Sequence, residues 1–250
     1  MADYNTIRTV GTGARAGQRI DEGLRAHMNK VYGLMSVGLL LTALVAWAVG
    51  TTPALLQIFM TVGPSGAMQM NILGWVAMFL PLVMVFAFGA MINRLSYAGA
   101  QLFFYVFAAA MGLSIAWIFV AFTGISIAQT FLATAAAFAG LSLSGYTTKR
   151  DLSGMGTFLM MGLIGIIVAS LINIFLHSPA LAFAVSILGV LIFAGLTAYD
   201  TQSIKQQYLQ MAQSGDQEWM GKSAIMGALR LYLDFINLFM FLLQFMGNRN

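Results

Sequence analysis

The chain reads as an all-α polytopic membrane protein with seven transmembrane helices. Three observations lead there. Of its 250 residues, 60% are hydrophobic and 8% are charged, with a mean hydropathy of +0.84. Soluble domains carry about 25% charged residues. The apolar residues gather in seven runs long enough to cross a bilayer. The basic residues fall in alternate loops, as topology requires of spanning helices.

Residues 1–30 form a basic segment with Arg8, Arg15, Arg19, Arg25 and Lys30. Ile20, Leu24 and Met28 recur every four residues, so this is either a short amphipathic helix on the membrane surface or an unstructured basic tail. Ala46-Trp-Ala48 has the look of a cleavage site, but the apolar run before it is too long and the leader too extended for a removed signal peptide.

The spanning domain covers residues 31–247. Its first run is Val31–Gly50, followed by an uncharged, half-apolar loop, Thr51–Asn71, with Pro53 and Pro64. In that loop Leu55, Leu56, Phe59 and Met60 suit the membrane interface. The remaining runs are Ile72–Met91, Gly99–Phe122, Ala128–Thr147, Met155–Leu176, Ala180–Tyr199 and Ala224–Met246. In lipid the backbone must satisfy itself, so continuous apolar runs of this length are helices. Close-spaced small residues, such as Ala108 with Gly112, Ala135 with Ala139, Gly162 with Gly165 and Gly189 with Gly195, predict tight helix packing.

Five basic residues precede the first helix. Arg94 follows the second, Lys149 and Arg150 follow the fourth, and Lys205 and Lys222 follow the sixth. The loops after the first, third and fifth have none. This alternation predicts a cytoplasmic N-terminus and an external C-terminus, with Arg249 the one basic residue against the rule. The net charge of +4 therefore serves orientation, and no nucleic-acid partner is expected. There is no cysteine, which excludes disulfide and thiolate chemistry. The two histidines, His27 and His177, lie far apart without nearby carboxylates, so no histidine metal site is expected.

Of eight acidic residues, Asp3, Asp21, Glu22, Asp216 and Glu218 fall in polar segments, and Asp151 is placed to cap the fifth helix. Asp200 and Asp234 remain. Asp200 ends the sixth run, roughly 30 Å from its outer end. Asp234 lies inside the last run, with Arg230 and Asn237 on the same face. If the helix enters at Lys222, Asp234 is roughly 18 Å deep. If Arg230 snorkels to the headgroups, Asp234 is one turn in, level with Asp200; this keeps the guanidinium wet and is preferred. Arg94, closing the second helix, reaches the same face. Carboxyls inside a membrane are costly and mark functional sites; the plainer reading is an interfacial Asp200 and an Asp234 neutralised by Arg230.

The segment Arg230-Leu-Tyr-Leu-Asp234-Phe-Ile-Asn-Leu-Phe, with Ala-Tyr199-Asp200-Thr-Gln202-Ser-Ile-Lys and Gly145-Tyr-Thr-Thr-Lys-Arg-Asp151-Leu-Ser, resembles the Bax inhibitor-1 family, in particular its bacterial branch. The similarity covers roughly residues 20–247, and the last-helix motif is its most specific part. The resemblance implies a seven-helix fold with the last helix central, in the bacterial inner membrane with the C-terminus periplasmic. It implies a pH-sensitive calcium leak governed by a paired-aspartate sensor, here Asp200 and Asp234, and a second-helix arginine latch, here Arg94. Arg230 is the other charge partner on offer. The two carboxylates would also be the transient ligands of Ca²⁺ as permeant ion. Protons, Ca²⁺ and the lipid bilayer are thus the expected partners; no resident cofactor and no enzymatic activity are expected. The 201–222 loop, with Gln206 and Gln207, has no counterpart in the motifs.

Two carboxylates sharing a site cannot both ionise cheaply. A shared proton would hold the sixth and seventh helices together, and its loss would open a cation path. The competing class is an interaction protein that restrains a membrane protease or stress factors, with the polar N-terminal segment as its contact; crosslinking with and without residues 1–29 separates the two. An intramembrane aspartyl protease also uses two helix-borne aspartates, but Tyr232 and Leu233 stand where its glycines are needed. A serine protease built on Ser142 and Ser144 lacks a nearby histidine, and a retinal protein lacks its last-helix lysine.

Overall fold

The computed structural model describes residues 4–63, 68–212 and 216–249, with the backbone alone for 4–19 and 217. In chain order the elements are α1 (Tyr4–Thr51), α2 (Pro53–Phe59), β1 (Met60–Val62), β2 (Met68–Met70), α3 (Ile72–Met91), α4 (Tyr97–Ile115), α5 (Ile118–Ala121), α6 (Gly124–Thr147), α7 (Ser153–Leu176), α8 (Pro179–Met211) and α9 (Gln217–Met246). Among the described residues seven helical segments are long and apolar enough to span a membrane, α4 and α5 counting as one. Every predicted run lies in one of them, the third overrunning its segment by one residue, Phe122.

The helices start where side chains satisfy their first amides. Asn71 accepts from the Gly74 amide at 2.9 Å, Ser96 from Gly99 at 3.2 Å and Thr123 from Ser126 at 3.3 Å. Ser178 accepts from Leu181 at 3.3 Å and Asp216 from Trp219 at 3.0 Å. Such caps satisfy donors that the helix itself cannot and are worth about 0.5–2 kcal/mol each.

The bundle is built around α9. In its most apolar window 56% of residues are buried, against 11% for α7 and 22% for α3. It packs on α8, α1, α6 and α4. Leu231, Tyr232, Phe235, Phe239 and Leu243 carry it into the main core, while Leu238 belongs to a second cluster with Leu159, Val185 and Phe193 of α7 and α8. Rings stack edge-on around it: Phe235 meets Phe131 and Phe138 of α6 at 5.4 and 5.5 Å. Close helix approach uses glycine. A Cβ on Gly112 would stand 2.6 Å from the Thr42 carbonyl oxygen, and one on Gly145 would strike the Ala198 backbone. Gly165, predicted to pack with Gly162, has nothing within 4 Å of its Cβ position.

Three expectations change. The N-terminal segment is continuous with the first span, so a boundary at residue 30 falls inside one helix. Leu24 and Met28 do share a face, but that face is buried in the core with Ile204 and Tyr208 of α8 and does not lie on a surface; Ile20 is exposed. A four-residue apolar spacing describes both arrangements, and only the partner helix decides. Asp200 does not end its helix: α8 runs eleven residues further, to Met211, and α9 begins at Gln217, so most of the 201–222 loop is helical. The 51–71 loop is ordered at its ends, as α2 and the antiparallel pair β1–β2, with Met60 opposite Met70. At the same end the C-terminal segment bridges back, Arg249 pairing with Phe122 and its guanidinium lying 5.9 Å over that ring.

Candidate functional site

The apolar face of α9 is interrupted by Asp234, which is 4% exposed, and by Arg230 one turn earlier, half-buried. Asp200 of α8, also half-buried, stands opposite, close enough for the two carboxyls to act on one another. Arg230 lies near enough to act on both electrostatically. It makes no ion pair with either: among the described residues the one salt bridge is Lys222–Glu218, 3.2 Å, within α9. The Oδ2 of Asp234 is buried and without a hydrogen-bond partner. Lone acceptors of this kind are rare in folded proteins.

The pair sits further from the helix ends than the sequence indicates. Eleven residues of α8 follow Asp200, roughly 16 Å of helix, and Asp234 stands eighteen positions past its cap Asp216, roughly 27 Å. Lys222, placed by sequence in a loop, is buried in α9. Asn237 shares the Asp234 face by spacing, yet its side-chain amide donates to the Leu233 carbonyl at 2.8 Å and not to the carboxyls. Arg94 lies in the turn after α3, which packs chiefly on α4; it is exposed and pairs with neither aspartate. Arg230 is therefore the cation beside the pair in this conformation. Among the described residues no group of three or more histidines or carboxylates could hold a metal. Two carboxyls offer at most four of the six to eight oxygens that Ca²⁺ takes, so an ion there would keep much of its water.

Sequence reasoning passed over the polar side chains that hold this site. Two residues before Asp234, the Tyr232 hydroxyl meets Thr42 Oγ1 at 2.6 Å, and Thr42 reaches the Ala108 carbonyl of α4 at 2.8 Å, tying α1, α4 and α9 together in the core. One residue after Asp200, Thr201 contacts Ser142 of α6 at 2.9 Å, and Ser142 contacts the Tyr32 hydroxyl of α1 at 2.7 Å. Gln202 clamps the α6–α7 turn: its Nε2 donates to the Arg150 carbonyl at 2.7 Å and its Oε1 accepts from the Leu152 amide at 2.8 Å. Lys205 donates to the Tyr146 carbonyl at 2.9 Å. The signal was present: Thr197, Thr201 and Lys205 are spaced by four, marking the α8 face that meets α6. In that turn Asp151 stands one residue before the cap position Leu152 and accepts from the Ser153 amide at 2.9 Å. Its contacts with Ser153, the backbone one first, hold its carboxyl below the ordinary range.

The family profile described as an inhibitor of apoptosis-promoting Bax1 matches residues 24–250. The inner membrane protein YbhL of Escherichia coli is 47% identical, over 91% of this chain and 93% of its own length. An uncharacterized protein of Caulobacter vibrioides is 44% identical over 93% of this chain and 92% of its length. One from Rickettsia prowazekii is 41% identical over 100% and 99%. With the seven-helix bundle and its central last helix, these matches make the chain a member of the Bax inhibitor-1 family of membrane proteins.

Proposed function

We propose that this protein is a pH-sensitive leak for Ca²⁺ or similar cations in the bacterial inner membrane, gated by a proton shared between Asp200 and Asp234. The observation that carries the reading is the closeness of these two carboxyls across α8 and α9, with no other group donating to the buried Oδ2 of Asp234. A carboxyl pair in contact needs a proton between its oxygens, because two anions so close in a low-dielectric interior repel strongly. With the proton present, α8 and α9 are held together and the path is shut. When it leaves, repulsion separates the helices, and the anionic site attracts a cation, which prefers oxygen ligands. Arg230 tempers the negative charge from one turn away. Arg94 would latch an aspartate in another arrangement of α3, since it stands apart from the pair in this one. The inner-membrane location draws on the name of the Escherichia coli relative. The charge pattern supports a cytoplasmic N-terminus and a periplasmic C-terminus.

The test is calcium flux in proteoliposomes against pH, for wild type and Asp200→Asn. Wild-type flux should rise as the pair deprotonates, and Asp200→Asn should flatten that profile. An unchanged profile would remove Asp200 from the gate. Wild-type protein without flux at any pH would point to a membrane regulator instead of a leak.

A further inference from the structure

A cavity of about 490 Å³ opens between α1 and α6, on the half of the bundle that carries Arg25 and the α6–α7 turn. Polar groups sit on its walls: Arg25, Asn29, Tyr32 and Ser36 from α1, Ser142 and Tyr146 from α6. Arg25 and Ser36 are eleven residues apart, so the polar wall extends roughly 16 Å along α1. The neighbouring cavity along the same two helices, about 460 Å³, is lined almost wholly by carbon, from Leu39, Trp47, Phe131 and Phe239 among others. Carbon makes up most of both linings, but only the first offers a row of polar groups, and water enters a cavity where polar partners await it.

The back wall of the polar cavity reaches α8 beside the gate: Ser142, which lines it, contacts Thr201, the residue after Asp200, at 2.9 Å. Thr201 donates to the Thr197 carbonyl at 2.7 Å, so its one proton is committed. Ser142 must then donate to Thr201, and Tyr32 to Ser142. The chain of hydroxyls starts at the cavity and ends on the Thr197 backbone carbonyl, three residues before Asp200, and that carbonyl passes no proton on. It is a clasp joining α1, α6 and α8, closed in this conformation. The charged and titratable groups facing it are Arg25, Tyr146 and, lying 5.1 Å over the Tyr146 ring, Lys205.

We propose that the α1–α6 cavity is the water-filled vestibule through which protons and hydrated cations reach the carboxyl pair, and that the Tyr32–Ser142–Thr201 clasp is the barrier between them. This rests on the leak reading, and it adds the route and three positioning residues. The absence of cysteine from the sequence makes a clean test possible. Ser36→Cys lines the cavity, and Val37→Cys, one residue on, is an exposed position outside the lining. In intact membranes a charged, impermeant thiosulfonate added from the cytoplasmic side should modify Ser36→Cys about tenfold faster than Val37→Cys, because hydrocarbon excludes the charge. Ala139→Cys, on the α6 wall, serves the same purpose if Ser36→Cys does not accumulate. Tyr32→Phe, which removes the donor and keeps the ring, should raise flux at alkaline pH, where the pair is open and the clasp is the remaining barrier, about fivefold, the factor that one net hydrogen bond represents. Labelling by an uncharged maleimide alone would show a lipid-filled crevice and overturn the vestibule. Unchanged flux in Tyr32→Phe would overturn the clasp. The labelling needs no flux, so a wild type that conducts nothing defeats the leak reading without touching this measurement.

Discussion

Asp234→Asn separates the shared-proton gate from a merely structural carboxyl. The carboxamide has the shape of the carboxyl and carries a fixed donor towards Asp200. In wild type the contact across α8 and α9 exists only while the pair holds a proton. That stabilisation is complete at acidic pH and is lost as the pH rises. In Asp234→Asn the contact survives at every pH, as an N–H donated to a carboxylate. Hydrogen bonds to charged groups contribute about 1.5–3 kcal/mol. For a chain of this size each kcal/mol moves the melting temperature by about 2–4 °C, so the variant should melt about 3–12 °C above wild type at alkaline pH. At acidic pH the two should coincide. Thermal unfolding in detergent micelles, followed by loss of the monodisperse chromatographic peak at pH 5 and pH 9, measures both. A difference that is the same at the two pH values would refute the shared proton, since a simple packing change is blind to pH.

Two further outcomes follow from the surrounding contacts. Thr42→Val keeps the shape but strips the partner from the fully buried Tyr232 hydroxyl. It should cost about 1–3 kcal/mol, read as a fall of several degrees in melting temperature at all pH values; an unchanged melting temperature would mean the node contributes nothing. Asp151 is held below the ordinary carboxylate range by its contacts with Ser153, so its stabilising effect is present above that range and is lost as the pH falls through the lowered value. Asp151→Asn should therefore remove one acid-side step in melting temperature that lies below the ordinary carboxylate range, and an identical acid limb in the variant would count against it.

Composition and periodicity were enough to count the spans and to place them within a few residues, because lipid leaves the backbone only one solution over such long apolar runs. They were also enough to single out Asp200 and Asp234, the carboxylates whose surroundings could not solvate them. The resemblance in the Arg230–Phe239 motif made α9 central, and its burial agrees. What sequence could not decide was anything that depends on a partner across space. The spacing of Leu24 and Met28 says that a helix has an apolar face, not whether lipid or α8 covers it. The end of an apolar run marks where side chains change, yet α8 continues past Asp200 because its polar residues are used by neighbours: Thr201 by Ser142, Gln202 by the Arg150–Leu152 turn, Lys205 by Tyr146. Arg94 and Arg230 were equal claimants on paper; tertiary packing set Arg230 beside the carboxyls and left Arg94 exposed, since a charge acts through distance and sequence carries none.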